Sequence, residues 1–499
     1  MGMLEDSNAT SCTFDWYDAQ AFDAKYLENY ICSFVSTAEN FLNEPIGFGP
    51  PQKPNPYYFT QCQKCLCIIL TNRDIGKKLN RIIMPNENAP YSCDTFVVLP
   101  PLTDSNFRIF GKNSDRPANE VQEIIFVSNE HTNENKDFVQ CTHIKIPQVS
   151  TTYRCILSKP TWCWGAEIGA NENGVCIGNE AVFSKITYET RDHALTGLDI
   201  VRLTLERAKT ARLAVHIVGE LVEQYGQGGP CFDASANFSY GYDNSFLIVD
   251  ADEAWSIETC DRVWVAKQIK EGYYSMSNVY SIEDDYNIQS NNLERFAQEQ
   301  NLWDGKDKLN FAQAFQGPSP CTDARLKAGR KLLENLTKNG NFSIFDMMSI
   351  LRDDQSGICA FDQVRGVRTT SSQISVLTSN KKSHIDTCHF LTGTPNPKQS
   401  LFKPFIFSNN VQLGSLTVST PEKVTAQRIH PLYSAHQKAK WENVDLKRLQ
   451  DFEHEGIMEI INKLKSAENN NVDTYETLFY DIVSAEIELL REHPCTKRS

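Results

Sequence analysis

Apolar and polar positions along the chain fall into regular patterns only from Cys93 onward. Phe96-Val97-Val98-Leu99 is a short apolar run closed by Pro100-Pro101, which predicts a strand. Arg108-Ile109-Phe110-Gly111-Lys112 predicts its hairpin partner across Thr103-Asp104-Ser105-Asn106. Further strands are predicted at 124–127, 142–146, 174–177, 246–249, 254–258 and 263–268. Several are joined by turns too short for a parallel crossover, which favours antiparallel pairing.

Helical spacing interrupts these strands. Leu198, Val201, Leu205 and Ala208 share one face, and Ala214, Ile217, Val218, Leu221, Val222 and Tyr225 share the next. Gly226 stops the second helix. Gly226-Gln227-Gly228-Gly229 follows a helix rather than a strand, so it is not assigned as a phosphate loop. A third helix is predicted from Ala324 to Leu336. From about His430 the chain is helical again. Leu449, Phe452, Ile457, Ile460, Ile461 and Leu464 form one apolar face; Tyr475, Leu478, Phe479, Ile482, Ile487 and Leu490 form a second. With Asn469-Asn470-Asn471 as the turn, this predicts a helical hairpin packed on the main body.

Residues 1–92 read differently. Pro50-Pro51-Gln52-Lys53-Pro54-Asn55-Pro56 and Asn86-Glu87-Asn88-Ala89-Pro90 are breaker clusters, and no amphipathic pattern is sustained between them. A loosely ordered extension is expected there, followed by a catalytic-type domain over 93–415 and a helical region over 416–499. Cys62, Cys65 and Cys67 cluster, but no second Cys/His pair follows at finger spacing, so no metal site is assigned. No cofactor is expected.

Charge narrows the partners. With 49 Lys and Arg against 63 Asp and Glu, the net charge of −14 argues against non-specific binding to nucleic acid or an anionic membrane. The longest apolar runs are too short to span a bilayer. The start, Met1-Gly2-Met3-Leu4-Glu5-Asp6, lacks a signal-peptide pattern. Sixteen scattered cysteines fit buried thiols in a reducing compartment, so a cytoplasmic location is expected.

The segment from Cys93 to Arg116 carries the chemistry. A cysteine opens a strand, and the return strand ends in Gly111-Lys112-Asn113-Ser114-Asp115-Arg116. The hairpin can bring Cys93 near Lys112 and Asp115. A thiolate is the competent nucleophile, and a nearby cation lowers the thiol pKa. A carboxylate can orient an ammonium group. Were Cys93 the first residue, its α-amine, with a pKa of about 7.7–8.0, could take the thiol proton and return it to a leaving amine.

Cys93-Asp94-Thr95-Phe96 and Phe110 to Pro117 resemble the start of the secernin family. Trp162-Cys163-Trp164-Gly165-Ala166-Glu167, Asn171-Glu172-Asn173-Gly174-Val175, Ser356-Gly357-Ile358-Cys359, Thr369-Thr370-Ser371, Phe390 to Phe407 and His430-Pro431-Leu432-Tyr433 continue the likeness. The resemblance implies an α+β fold, the αββα sandwich of N-terminal-nucleophile (Ntn) hydrolases, with two antiparallel sheets. It also implies a peptidase family shared with bacterial dipeptidases and a small peptide substrate. In these terms Cys93 is the nucleophile, Lys112 and Asp115 its basic and acidic partners, Asn179 and Asn278 oxyanion donors, and Arg325 a distal arginine. Arg330 stands close by as an alternative to Arg325. Many relatives carry Arg where this chain has Lys112, and the change loses the planar fork. The family is also described as regulators of vesicle exocytosis, associated with the secretory machinery. The sequence leaves the enzyme and regulator readings open.

Overall fold

The apolar run after Cys93 and its hairpin partner form the strands their patterns predict, and both lie in the middle of a sheet. A computed structural model describes residues 93–129, 137–188, 191–233, 241–318, 321–362, 366–378, 387–419, 429–465 and 472–491. All of them belong to one unit, Asn88–Ser499. The extension, its cysteine cluster and the Asn469–Asn471 turn lie outside the described residues.

The first sheet has the order β12 (Tyr273–Met276), β1 (Asp94–Val98), β2 (Arg108–Pro117), β15 (Val367–Leu377), β16 (Thr387–Leu391), β17 (Lys403–Phe405). β14 (Phe361–Asp362) adds to β15. The second sheet has the order β13 (Ile288–Gln289), β11 (Val263–Ile269), β10 (Ala254–Cys260), β9 (Asp243–Val249), β8 (Cys176–Val182), β7 (Ile168–Asn171), β6 (Cys155–Pro160), β3 (Gln122–Val127). β4 (Phe138–Gln140) and β5 (Lys145–Pro147) form a small separate ribbon. The neighbouring strands pair antiparallel throughout.

Helices cover the two outer faces. α1 (Gly197–Arg207) and α2 (Ala211–Tyr225) lie on the second sheet, where Leu203, Leu205, Val218 and Val222 pack with Ile177, Phe246 and Ile257. α3 (Leu293–Glu299) and α4 (Phe311–Phe315) pack beside β11. α5 (Ala324–Leu336), α6 (Ile344–Leu351) and α8 (Leu446–Lys465) cover the first sheet, burying Leu333, Met347 and Ile457 against Phe96, Val98 and Ile374. Between the sheets, Val97, Phe110, Ile156, Ile168 and Leu247 interdigitate. Each such side chain contributes about 1.5–3 kcal/mol when fully buried. The layers are therefore α, β, β, α, the sandwich that the Ntn resemblance implies.

Three differences from the sequence reading have physical causes. The strand expected over 142–146 is confined to Lys145–Pro147, because Thr142 gives its N–H and hydroxyl to Asp199 at the start of α1, at 3.1 and 2.6 Å. The strand expected from Gly174 begins at Cys176, since Gly174 turns the chain at φ 80°. The return strand β2 runs five residues beyond Lys112, to Pro117.

The C-terminal helices α7 (Pro431–Lys438), α8 and α9 (Leu478–Arg491) dock through buried charge as well as apolar contact. Glu486 of α9 pairs with Lys403 at 2.7 Å, accepts the Leu401 N–H at 3.1 Å and meets His436 Nε2 at 3.0 Å. Glu453 of α8 accepts the Phe402 N–H at 2.6 Å and pairs with Arg352 at 2.9 Å. Two helix carboxylates thus satisfy consecutive backbone donors entering β17, which would otherwise be costly to bury.

Candidate active site

Side chains alternate along β2, and this divides its residues between two environments. Ile109, Gly111 and Asn113 face the helices; Asn113 donates to Leu351 O and Ile358 O at 2.9 and 2.8 Å. Phe110, Lys112, Ser114 and Arg116 face the second sheet. Cys93 precedes β1, whose Asp94 lies opposite Asn113 on β2. The register brings the cysteine beside Asp115: the Asp115 N–H donates to Cys93 Sγ at 3.3 Å, and the thiol approaches Asp115 O at 3.7 Å.

Cys93 is buried, at 7% exposure. Burial pushes its thiol well above the ordinary range, and Lys112 only partly opposes this. In the intact chain the sulfur is therefore a thiol at neutral pH. Its own main-chain N–H donates to Asn278 Oδ1 at 2.8 Å.

Asn278 also accepts from Arg325 at 2.7 Å, and its NH2 donates to Ala181 O at 2.9 Å. These partners fix the orientation of its amide, because a guanidinium can only donate and a carbonyl can only accept. The oxygen of Asn278 thus faces the Cys93 nitrogen, while its donors are directed to the second sheet. Arg325 extends from α5 into the same group. It pairs with Asp94 at 2.8 Å and comes within 4.0 Å of Asp115. Arg330, the sequence alternative, lines instead a cavity of about 520 Å³ with Glu283, Gln316 and Asp323. Burial raises the Asp94 carboxyl to about 6, with Arg325 holding it down. Asp115 accepts from the Thr369 hydroxyl of β15 at 2.5 Å.

Lys112 is fully buried and points at β8. Its Nζ donates to Asn179 O at 2.5 Å and lies 3.4 Å from Glu180 Oε2. Its stem crosses Gly178, where a Cβ would meet Lys112 Cδ at 2.4 Å. Burial works against the ammonium, but Cys93 and Glu180 outweigh it and raise its pKa. Glu180 also accepts from the Thr95 hydroxyl. Burial raises Glu180 to about 8 despite the lysine. Asn179 contributes its carbonyl to Lys112; its side-chain amide sits against Asn244 at 2.9 Å and Glu167 at 3.0–3.2 Å.

The structure thus gathers Cys93, Asp115, Asn278 and Arg325 through direct contacts, and sets Lys112 beside them. The Asn179 side chain joins a polar group behind Lys112. Sequence reasoning missed Asp94, Thr95, Glu180 and Thr369. It also missed the Arg116 cluster, in which Arg116 bonds Glu120 at 2.7 Å, Glu167 at 3.3 Å, Tyr242 at 3.0 Å and Cys231 O at 2.7 Å. Glu180 left one signal: the single charge in the otherwise uncharged segment Cys176-Ile177-Gly178-Asn179-Glu180-Ala181-Val182. Among the described residues, no group of three or more His, Cys, Asp or Glu is arranged to hold a metal ion.

An αββα sandwich with a cysteine at the head of a hairpin, and a lysine and an aspartate on its return strand, is the arrangement implied for a cysteine-type Ntn hydrolase. The sequence model of peptidase family C69 matches residues 108–331, so over that span the chain is similar to a family of peptidases. The match takes in Lys112, Asp115, Asn179, Asn278 and Arg325 and begins after Cys93. Similar solved structures include a mutant conjugated bile acid hydrolase from Clostridium perfringens, at 10% identity and TM-score 0.37, covering 63% of this chain and 92% of that one. Penicillin V acylase from Agrobacterium tumefaciens is similar at 11% identity and TM-score 0.36, over 64% and 87%. The Caenorhabditis elegans ortholog of N-acylethanolamine-hydrolyzing acid amidase is similar at 13% identity and TM-score 0.31, over 56% and 92%. At this distance neither their substrates nor their catalytic roles transfer to this chain.

Proposed function

We propose that the protein is a cysteine-type amide hydrolase of the dipeptidase kind, resembling the secernins, and that it cleaves short peptides through a thioester on Cys93. One observation carries this reading: both reactive atoms of Cys93 are held, the nitrogen by Asn278 at 2.8 Å and the sulfur by the Asp115 N–H at 3.3 Å. In a form that begins at Cys93, the nitrogen is an amine with a pKa of about 7.7–8.0 and accepts the thiol proton. The thiolate attacks the peptide carbonyl, the new ammonium protonates the departing amine, and water then opens the thioester. Lys112 supplies positive charge near the sulfur, and Asp94, Asp115 and Arg325 hold the surrounding groups in place. The resemblance makes the Asn179 side chain an oxyanion donor, a role in which its amide would leave its partners behind Lys112.

A second reading has its own support. In the intact chain the Cys93 nitrogen is an amide, which is not basic, and burial keeps the thiol protonated. An inert cysteine of this kind suits a non-catalytic regulator of exocytosis on the same fold. The test is to express the chain so that Cys93 is its first residue and follow amine release from a dipeptide panel. That form should be active, the full-length chain nearly inactive, and Cys93→Ala inactive. Equal inertness of the Cys93-first form and Cys93→Ala on every peptide would favour the regulator.

A further inference from the structure

The Lys112–Glu180 pair raises a question of charge that the site leaves open. A buried charge is costly unless it is balanced. Lys112 and Glu180 are both fully buried and 3.4 Å apart, and they span the two sheets from β2 to β8. The Glu180 carboxylate is satisfied on both sides, by Lys112 at Oε2 and by the Thr95 hydroxyl at Oε1. Above about pH 8, where Glu180 is ionised, the pocket holds one ammonium and one carboxylate, so its charge is balanced while Cys93 is a thiol. Removing the thiol proton to solvent would leave two anions against one cation. The other charged groups facing Glu180 are Asp94 from β1 and Glu167, just before β7, and both oppose a further negative charge.

We propose that Glu180 is a positioning residue for the Cys93 reaction: it holds the Lys112 ammonium against β8, and its carboxylate draws that charge away from the Cys93 sulfur. The proposal rests on Cys93 being the nucleophile. Loss of the Cys93 proton and loss of the Glu180 proton therefore oppose one another. Cys93 and Glu180 then titrate as a coupled set rather than as separate groups. Thr95 sets how readily the carboxylate protonates, because its hydroxyl favours the ionised form. In a form that begins at Cys93, the same charge balance governs how far Lys112 is available to the thiolate while the α-amine carries the proton.

The test reads the sulfur directly. The full-length protein is treated with iodoacetamide across neutral and alkaline pH, and modification of the Cys93 peptide is followed by mass spectrometry. Glu180→Gln removes the balancing charge while keeping the shape, so alkylation should move to lower pH and run about tenfold faster above about pH 8, where Glu180 is ionised in the wild type, one pK unit being tenfold. Glu180→Asp should restore the wild-type profile. Lys112→Met should move it the other way. Thr95→Val should give a smaller shift in the same direction as Glu180→Gln, and it serves as the test if Glu180→Gln does not fold. A folded Glu180→Gln or Thr95→Val protein whose profile coincides with wild type, or moves to higher pH, overturns the proposal. Peptide hydrolysis by the Cys93-first forms is measured in parallel. A shifted alkylation profile without turnover would uphold the role of Glu180 and defeat the hydrolase reading alone.

Discussion

Asn278 holds the main-chain nitrogen of Cys93 through its amide oxygen, at 2.8 Å, across 185 residues of sequence. The resemblance alone makes Asn278 an oxyanion donor. In the structure its amide oxygen accepts from the Cys93 nitrogen and its NH2 donates to Ala181 O, which fixes the direction of that nitrogen. A base that must take a proton from a thiol in the same residue depends on that direction.

Replacing Asn278 by Leu should therefore reduce turnover of the Cys93-first form by about a hundredfold, as expected when a reacting group loses its alignment. Asn278→Asp keeps an acceptor and should fall between. Steady-state kcat/KM on one dipeptide decides it, and wild-type turnover by the Leu variant would remove Asn278 from the site.

Arg325 should matter most at neutral and higher pH. Asp94 holds its proton more tightly in the fold, at about 6, than at its ordinary value of 3.8, so ionising it costs stability as pH rises through that window. Arg325 limits the cost. Arg325→Met should lower stability by about 3–5 kcal/mol at neutral pH, the usual penalty for orphaning a buried charge, and by less below about pH 6, where Asp94 is already protonated. Denaturant melts at two pH values should show the difference. Asp94→Asn should relieve it.

Acid should loosen the C-terminal helices through Glu486. Burial alone would raise this carboxyl, but Lys403 and His436 hold it down at about 2. Its folded value is depressed, so its contribution is present above the ordinary 4.5 and is lost as pH falls from there toward 2. Glu486→Gln should flatten the stability slope in that window and lower the thermal midpoint. Lys403→Met, which leaves the carboxylate unpaired, should cost about 3–5 kcal/mol at neutral pH.

Gly178→Val should separate the site from the fold. The new Cβ would meet Lys112 Cδ at 2.4 Å, and the lysine stem must leave its slot because its tip is held by Asn179 O and Glu180. Thiol reactivity should change at least as much as in Lys112→Met, while circular dichroism keeps its strand signal. An unaltered alkylation profile would show that Lys112 bends without losing its partners.

Much of the frame is written in apolar spacing. The segment Phe96–Leu99 is an apolar run buried on both faces, and the helices over 197–207, 211–225 and 324–336 carry apolar side chains at helical spacing, so run and periodicity find them. β15 is different. Its sequence, Val-Arg-Thr-Thr-Ser-Ser-Gln-Ile-Ser-Val-Leu, reads as a polar loop, yet it is buried between β2 and β16. Its hydroxyls are paired across the strands, Thr369 to Asp115, Thr370 to Ser114 O and Ser372 to Asn113. Partners that lie more than 250 residues away leave no local pattern. The same holds for Arg325, whose helix reads as a surface helix and whose acidic partners are at the other end of the domain. Cys93, Lys112 and Asp115 were legible because one hairpin joins them.

The placement of β2 has a practical consequence for finding what the protein binds. One strand bears Lys112, Asp115 and Arg116 and also supplies Ile109 to the outer core and Phe110 to the inner one. A compound seated at Cys93 therefore grips the centre of the architecture rather than a loop that opens by itself. Occupancy is then felt by the whole cooperative unit, and a ligand present at a hundred times its Kd adds about 2.7 kcal/mol to unfolding. Melting curves recorded over a library of peptides and amides would rank ligands before any turnover is seen, with the protein's own thermostability as the sensor.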